Sequence, residues 1–168
     1  MSKFVNINGP IVADTVYSNG TLVAKDTGFT LPAVTPTTAD VSAMGTMSLP
    51  IWSLIEDMEA TITKIGHDLG LRNLVTPEMK PLEIRWVQTV TDANGVTKNV
   101  GCKAFLKGIP KGLPEVGGEV GSAVENAVPL TLTRYQLFVD GNEMWLVDRL
   151  AGIIRINGKN YADMDSML

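Results

Sequence analysis

Cysteine and histidine are almost missing from this chain: it has one of each, Cys102 and His67, in 168 residues. One cysteine leaves no intramolecular disulfide, and one Cys with one His cannot build a Cys/His metal cluster within a single chain. A Cys–His nucleophile pair stays formally open. Against it, Cys102 lies inside a strand-like run, where a small buried hydrophobe is expected, and nothing marks its thiol as activated. Long apolar runs are also missing. No stretch approaches the roughly 20 uncharged apolar residues of a membrane helix. Met1–Pro10 has no apolar run of signal-peptide length, so a soluble protein used in the cytoplasm is expected. Basic clusters are missing too: 14 Lys and Arg stand against 18 Asp and Glu, a net charge of −4. A protein that grips nucleic acid through its phosphates carries a basic patch. This balance instead suits a surface past which DNA slides without sticking.

Catalytic signatures are absent as well. There is no Gly-x-Ser-x-Gly, no phosphate-binding loop, no dinucleotide fingerprint and no His-Glu-x-x-His. The acidic groups Glu56, Asp57 and Glu59, and Asp163 with Asp165, read as solvated turns and not as paired carboxylates for acid–base work. Gly117, Gly118 and Gly121 lack the lysine and the strand-to-helix setting of a nucleotide loop. No catalytic, cofactor-binding or metal-ligating residue is assigned, and no enzyme is expected.

What the chain does contain is turn chemistry. Asn19-Gly20 separates Val12–Ser18 from Thr21–Lys25, and Asn94-Gly95 separates Leu82–Thr91 from Thr97–Leu106. Asp140-Gly141 separates Leu130–Val139 from Met144–Asp148, and Asn157-Gly158 follows Gly152–Ile156. Such dipeptides supply the positive φ of two-residue hairpin turns. Repeated this often, they predict a mainly β, antiparallel sandwich or barrel in one domain spanning 1–168. Leu82–Val90 mostly alternates apolar and polar residues, as a half-buried strand does. In Leu130–Val139 the apolar phase switches near Arg134, which predicts a bulge or a strand passing between two environments. Asp57–Ile65 reads as strand in its second half. The one helix is expected over His67–Val75, ended by Pro77 and weakened by Gly70. Pro32–Thr46 and Gly108–Pro129, rich in glycine, proline and small residues, are expected as long loops.

Trp86 and Trp145 lie within strands and are expected in the core. Trp52, in the apolar patch Ser48–Leu54, suits the core or a contact between subunits. The methionines are scattered, as adaptable packing residues are.

The stretch Tyr135-Gln136-Leu137-Phe138-Val139-Asp140-Gly141, followed by Leu146-Val147-Asp148 and Ile153-Ile154-Arg155-Ile156-Asn157-Gly158, resembles the end of the major tail tube proteins of contractile bacteriophages and R-type bacteriocins. The front half agrees in order. Phe29-Thr30-Leu31-Pro32 is similar to that family's Leu-Pro element, Met44-Gly45-Thr46-Met47 to its Gly-Gly-Met region, and Met58–Gly66 to its Met-Glu-Ala strand. Two departures stand out: Asn160 occupies a position where the family often has an acid, and Gly45-Thr46 replaces a double glycine.

The resemblance implies a hexameric ring that stacks into a hollow tube, with inner strands of all subunits joined in one large barrel. A contractile sheath would surround the tube and drive it through the cell envelope. Implied partners are further copies of the chain, a sheath protein, a baseplate or tube initiator, and, in a phage, a tape measure protein and DNA in the lumen. The place would be a virion tail assembled in the host bacterial cytoplasm. Inter-subunit contacts are expected at Ile51, Trp52, Leu54, Leu113, Val116, Val120 and Val124, with both long loops and both termini ordering as arms against adjacent rings. Alternatives are a type VI secretion-like tube protein and a β-sandwich carbohydrate-binding module using the tryptophans. The net acidity motivates one more expectation, a lumen whose carboxylates repel DNA.

Overall fold

The computed structural model describes residues 7–164 and 167–168. In chain order the elements are β1 (Ile7–Ser18), β2 (Thr21–Lys25), β3 (Gly28–Thr30), β4 (Pro36–Ser42), β5 (Thr46–Ile55), β6 (Glu59–Ile65), α1 (Leu69–Val75), β7 (Lys80–Thr91), β8 (Thr97–Pro110), β9 (Glu125–Val139), β10 (Asn142–Asp148), β11 (Ile153–Ile156) and β12 (Lys159–Asn160). The fold is mainly β and antiparallel. One sheet runs β12-β11-β10-β9-β8-β7-β1-β2, with β6 pairing both β9 and β3, while β4 and β5 form a sheet of their own. Among the described residues no sheet closes into a barrel.

Strand β9 organises the molecule. Arg134 to Val139 pair with β10 on one edge, and further down the same edge Glu125 to Thr131 pair with β6. Along the other edge β9 pairs with β8 from Val139 to Leu130. The predicted phase switch is real and sits at Thr133. Leu130 and Leu132 are buried, then Tyr135 and Leu137, and the β8–β9 register slips between Lys107 and Gly108. The period-2 pattern must shift by one residue because the strand passes from one partner to the next. The inward faces of both regions meet in one core, where Met58, Ile62, Leu82, Ile84, Leu106, Leu130 and Leu132 lie together. Trp86 and Trp145 are partly buried against it, as expected of them.

Asn19-Gly20, Asp140-Gly141 and Asn157-Gly158 have positive φ at both residues, the geometry their sequences predict. Asn94-Gly95 differs: only Gly95 has positive φ. The Asp92 carboxylate accepts from the Asn94 and Val96 N–H groups at 2.9 and 3.0 Å, so the acid shapes a longer loop.

Helix α1 is shorter than expected and starts after Asp68, whose carboxylate accepts from the Gly70 N–H at 2.8 Å. At its other end the buried Lys80 ammonium donates to the carbonyls of Asn73 and Leu74, at 2.6 and 3.2 Å. That bond pair satisfies carbonyls a helix end leaves free; burial pulls the Lys80 pKa down.

The two expected loops are corrected. Within 32–46, Pro36–Ser42 is strand β4, registered on β5. Within 108–129, β8 continues to Pro110 and β9 begins at Glu125, so the irregular segment is 111–124. Small and polar residues hid β4, whose residues are largely exposed, while the glycines and prolines of 108–129 hid strand ends that do reach the core through Val128.

Candidate assembly surfaces

Strands β3 and β6 are paired at the body of the protein, and the chain runs from them into β4 and β5, also paired with each other. The Glu56 N–H donates to the Thr35 carbonyl at 2.9 Å and bridges the two parts. The result is a long two-stranded ribbon, held by β9 at its base and free at its tip, where Met44 and Gly45 take positive φ. The registers Ala39↔Leu49, Val41↔Met47 and Thr37↔Ile51 place one apolar set on one face. The other face carries Thr38, Asp40, Ser42, Thr46 and Ser48, with the Ser48 hydroxyl donating to Asp40 at 2.7 Å. Both outer edges of this ribbon are unpaired among the described residues. Met47, Leu49 and Val41 are exposed, and Met44 at the tip is wholly so. An isolated two-stranded hairpin is at best marginally stable in water, and its open edges invite strand pairing.

A second polar face lies at the ribbon's base. The registers of β3, β6 and β9 put Thr30, Thr61, Thr63 and Thr131 outward together, with Glu59 and Glu125 at the ends. Lys64, near the end of β6, faces the other way. Its buried ammonium donates to the Val23 carbonyl at 2.8 Å and meets Asp68 at 3.2 Å. The Asp68 carboxyl is held below its usual range by the Lys64 hydrogen bond.

The expected contact residues divide. Ile51 is half-buried on the ribbon's apolar face, whereas Trp52 and Leu54 are exposed near the point where β5 rejoins the body. Leu113, Val116 and Val120 are exposed on the 111–124 segment, Val120 completely. Val124 is half-buried in its own chain, and its carbonyl accepts from the Gly66 N–H at 2.8 Å. The N-terminal arm falls on residues 1–6, outside the described residues; so does Asp165 of the C-terminal acidic pair. Asp163 is exposed.

Chemistry is sparse at the positions weighed for it. Cys102 is buried between β7 and β9, burial raises its pKa, and His67 is exposed elsewhere. Glu59 and Asp57 bind Lys111 at 2.8 and 3.9 Å. The hollow beside Gly117 and Gly118 is rimmed by Glu115, Glu119 and Glu125, which would repel a phosphate. Trp52, Tyr135 and Trp145 do share a cavity of about 360 Å³ with Val34, Ile154 and Ile156. No Asp, Glu, Asn, Gln, Lys or Arg lines it; the polar side-chain groups of its lining residues are the Tyr135 hydroxyl and the Trp52 and Trp145 indole N–H groups, a sparse set for sugar hydroxyls. Asn160 does the work of an acceptor: its Oδ1 takes the N–H groups of Ile154 and Ala162 at 3.1 and 3.0 Å, bonds a carboxylate could equally accept. That role has no signal in the sequence beyond its place after Asn157-Gly158.

A family model described as phage tail tube protein FII matches residues 11–164. No curated protein matches the sequence. Among solved structures, the chain is similar to a chain of the sheath-tube complex of an extracellular contractile injection system, PVC, in its extended state. The TM-score is 0.52 at 12% identity, covering 77% of this chain and 90% of that one. It is also similar to a chain of the sheath/tube terminator of that system, with a TM-score of 0.50 at 13% identity, covering 77% and 95%. At such identity the likeness is one of fold.

Proposed function

Since this chain belongs to the phage tail tube protein FII family, and so is a structural subunit of a tail tube, we propose that its copies close into six-membered rings that stack as a hollow conduit. The free amphipathic hairpin β4–β5 carries this reading. It exposes an apolar face and, among the described residues, two unpaired strand edges, which a neighbouring chain can cover. Neighbouring hairpins laid edge to edge, each anchored through β6 on β9, extend one sheet around the ring axis and leave no open edge. A heterologous contact of this kind closes into a ring when its rotation allows.

The two hydroxyl-rich faces, Thr38–Asp40–Ser48 and Thr30–Thr61–Thr63–Thr131, then turn to the lumen. Their carboxylates are Asp40, Glu125 and Glu59, the last paired with Lys111, so the faces stay net acidic, which repels a phosphate backbone and keeps DNA moving. The extended-state sheath-tube likeness supports a sheath around the tube, within the tail of a phage or phage-like particle. Baseplate, tape measure protein and DNA complete the partners if the particle is a phage. The role is mechanical, with no reaction to catalyse.

Sedimentation velocity tests the hairpin directly. Val41→Lys with Leu49→Lys places charge on its apolar face, where neither side chain supports the core. The double variant should stay monomeric, with the wild-type circular dichroism and melting temperature, at concentrations where the wild type assembles. Wild-type assembly by that variant would sink the reading.

A further inference from the structure

Strand β8 presents Lys103 and Lys107 on its outward face, and neither meets a carboxylate within 4.0 Å among the described residues. The other cations nearby are engaged. Arg85 binds Glu83 at 2.6 Å and stacks over Tyr17, while Arg155 binds Glu143 at 2.7 Å. Between the lysines stands Phe105, edge-on to Phe138 at 5.6 Å. Those two rings, with Lys103, Gly101 and Gly141, bound a hollow of about 320 Å³. The surface is thus an apolar notch beside two free cations.

At the C-terminal end of the same strand the chain passes from Pro110 into the 111–124 segment. From Gly112 to Thr133 the sequence has no Lys or Arg. Glu115 and Glu119 are exposed there, interleaved with exposed Leu113, Val116 and Val120. The segment is therefore acidic and apolar in alternation, the inverse of the β8 face. Its glutamates are four residues apart, like the lysines. Four residues span about 13 Å in a strand and no more than about 14 Å in any extended chain.

We propose that the 111–124 segment of one copy docks on the β8 face of a second copy. Val116 or Val120 fills the Phe105–Phe138 notch, and Glu115 and Glu119 pair with Lys103 and Lys107. The acceptor face occupies the middle of β8, from Lys103 to Lys107, and the donor segment leaves the strand at Pro110, about 10 Å beyond Lys107 and about 23 Å beyond Lys103 at the rise of a β-strand. A contact between two different patches, displaced along one direction, repeats without closing and propagates a stack. This inference rests on the tube reading and assigns the contact between successive rings to these residues, as distinct from the hairpin contact within a ring.

Charge reversal tests it on the full chain, with tube length read by electron microscopy and mass by sedimentation velocity. All four charged residues are exposed, so each variant is checked for the wild-type melting curve. Glu115→Lys with Glu119→Lys, and separately Lys103→Glu with Lys107→Glu, should each shorten the stacks by about tenfold or more while single rings persist. The quadruple variant, or an equimolar mixture of the two doubles, should restore length because each reversed loop then meets a reversed face. Full-length tubes from either double, or a quadruple as defective as the doubles, overturns this contact and leaves the ring reading intact. A wild type that forms neither rings nor tubes overturns both.

Discussion

The backbone N–H of Leu132 donates to the carbonyl of Met58 at 2.9 Å, and with that bond β9 passes from its partner β10 to its partner β6. One residue on, the Thr133 carbonyl accepts from the Arg149 N–H at 2.9 Å. The hand-over couples the ribbon's base to the main sheet. Whatever holds the hairpin to a neighbour therefore pulls on β9, the longest strand of the fold.

The bulge opposite this junction needs Gly108. A Cβ there would stand 2.8 Å from Leu132 Cδ2 and 2.9 Å from the Thr131 carbonyl oxygen, too close for either to remain. Gly108→Ala should cost about 1–3 kcal/mol, read as a lower denaturation midpoint. Gly112→Ala, where a Cβ meets nothing within 4 Å, should leave the midpoint within error. Equal midpoints for both would remove the packing argument.

Gly70 gives a prediction opposite to helix propensity. Alanine is favoured over glycine within a helix by about 1 kcal/mol. Here a Cβ would collide with the Val23 carbonyl oxygen, which also accepts the buried Lys64 ammonium. Gly70→Ala should therefore lower the melting temperature. A rise would show that α1 can retreat from β2 at little cost.

Two carboxyls give opposite pH dependence. The Arg155 hydrogen bonds, reinforced by Gln136, hold the Glu143 carboxyl below its usual range. Its contribution is present above the unfolded value, about 4.3, and is lost as pH falls through the lower folded value. Asp14 is raised by burial, against the bond its Oδ1 accepts from the Thr27 N–H. Its contribution is full below about 3.9 and is lost as pH rises through the raised folded value. Melting scans from pH 3 to 7 should show Glu143→Gln losing part of the acid-side slope. Asp14→Asn, which keeps an acceptor, should improve relative to the wild type as pH rises. Parallel curves for all three proteins would contradict both assignments.

Much of the fold was legible because it rests on local chemistry. Three turn dipeptides and the phase switch near Arg134 declare the hairpins and the bulge. The β4–β5 hairpin is harder to read as strand because its alternation is short: only Ala39 and Val41 among Thr38, Asp40 and Ser42 mark β4, beside Pro32 and Pro36, and no core lies beneath them. A strand that completes its packing on another chain has only half its pattern in its own sequence. The reason for glycine at position 70 is hidden in a related way. Helix propensity is local, whereas the approach of α1 to Val23 is set by tertiary packing. For the candidate surfaces, Trp52, Leu54, Leu113, Val116 and Val120 are exposed, Ile51 and Val124 are half-buried, and the exposed Val41, Met47 and Leu49 of the hairpin carry no separate signal in the sequence. The notch on β8 is not legible in the sequence, since Lys103 comes to stand beside Phe138 and Gly141 only through the strand registers.

Electron cryomicroscopy of the purified chain, taken across a range of concentrations, tests the central claim most directly. The account predicts rings and hollow tubes in which β4–β5 hairpins of adjacent copies lie edge to edge, with Asp40, Thr61 and Thr131 facing the lumen. Single small particles at every concentration, or tubes whose hairpins point outward with a basic lining inside, would contradict it.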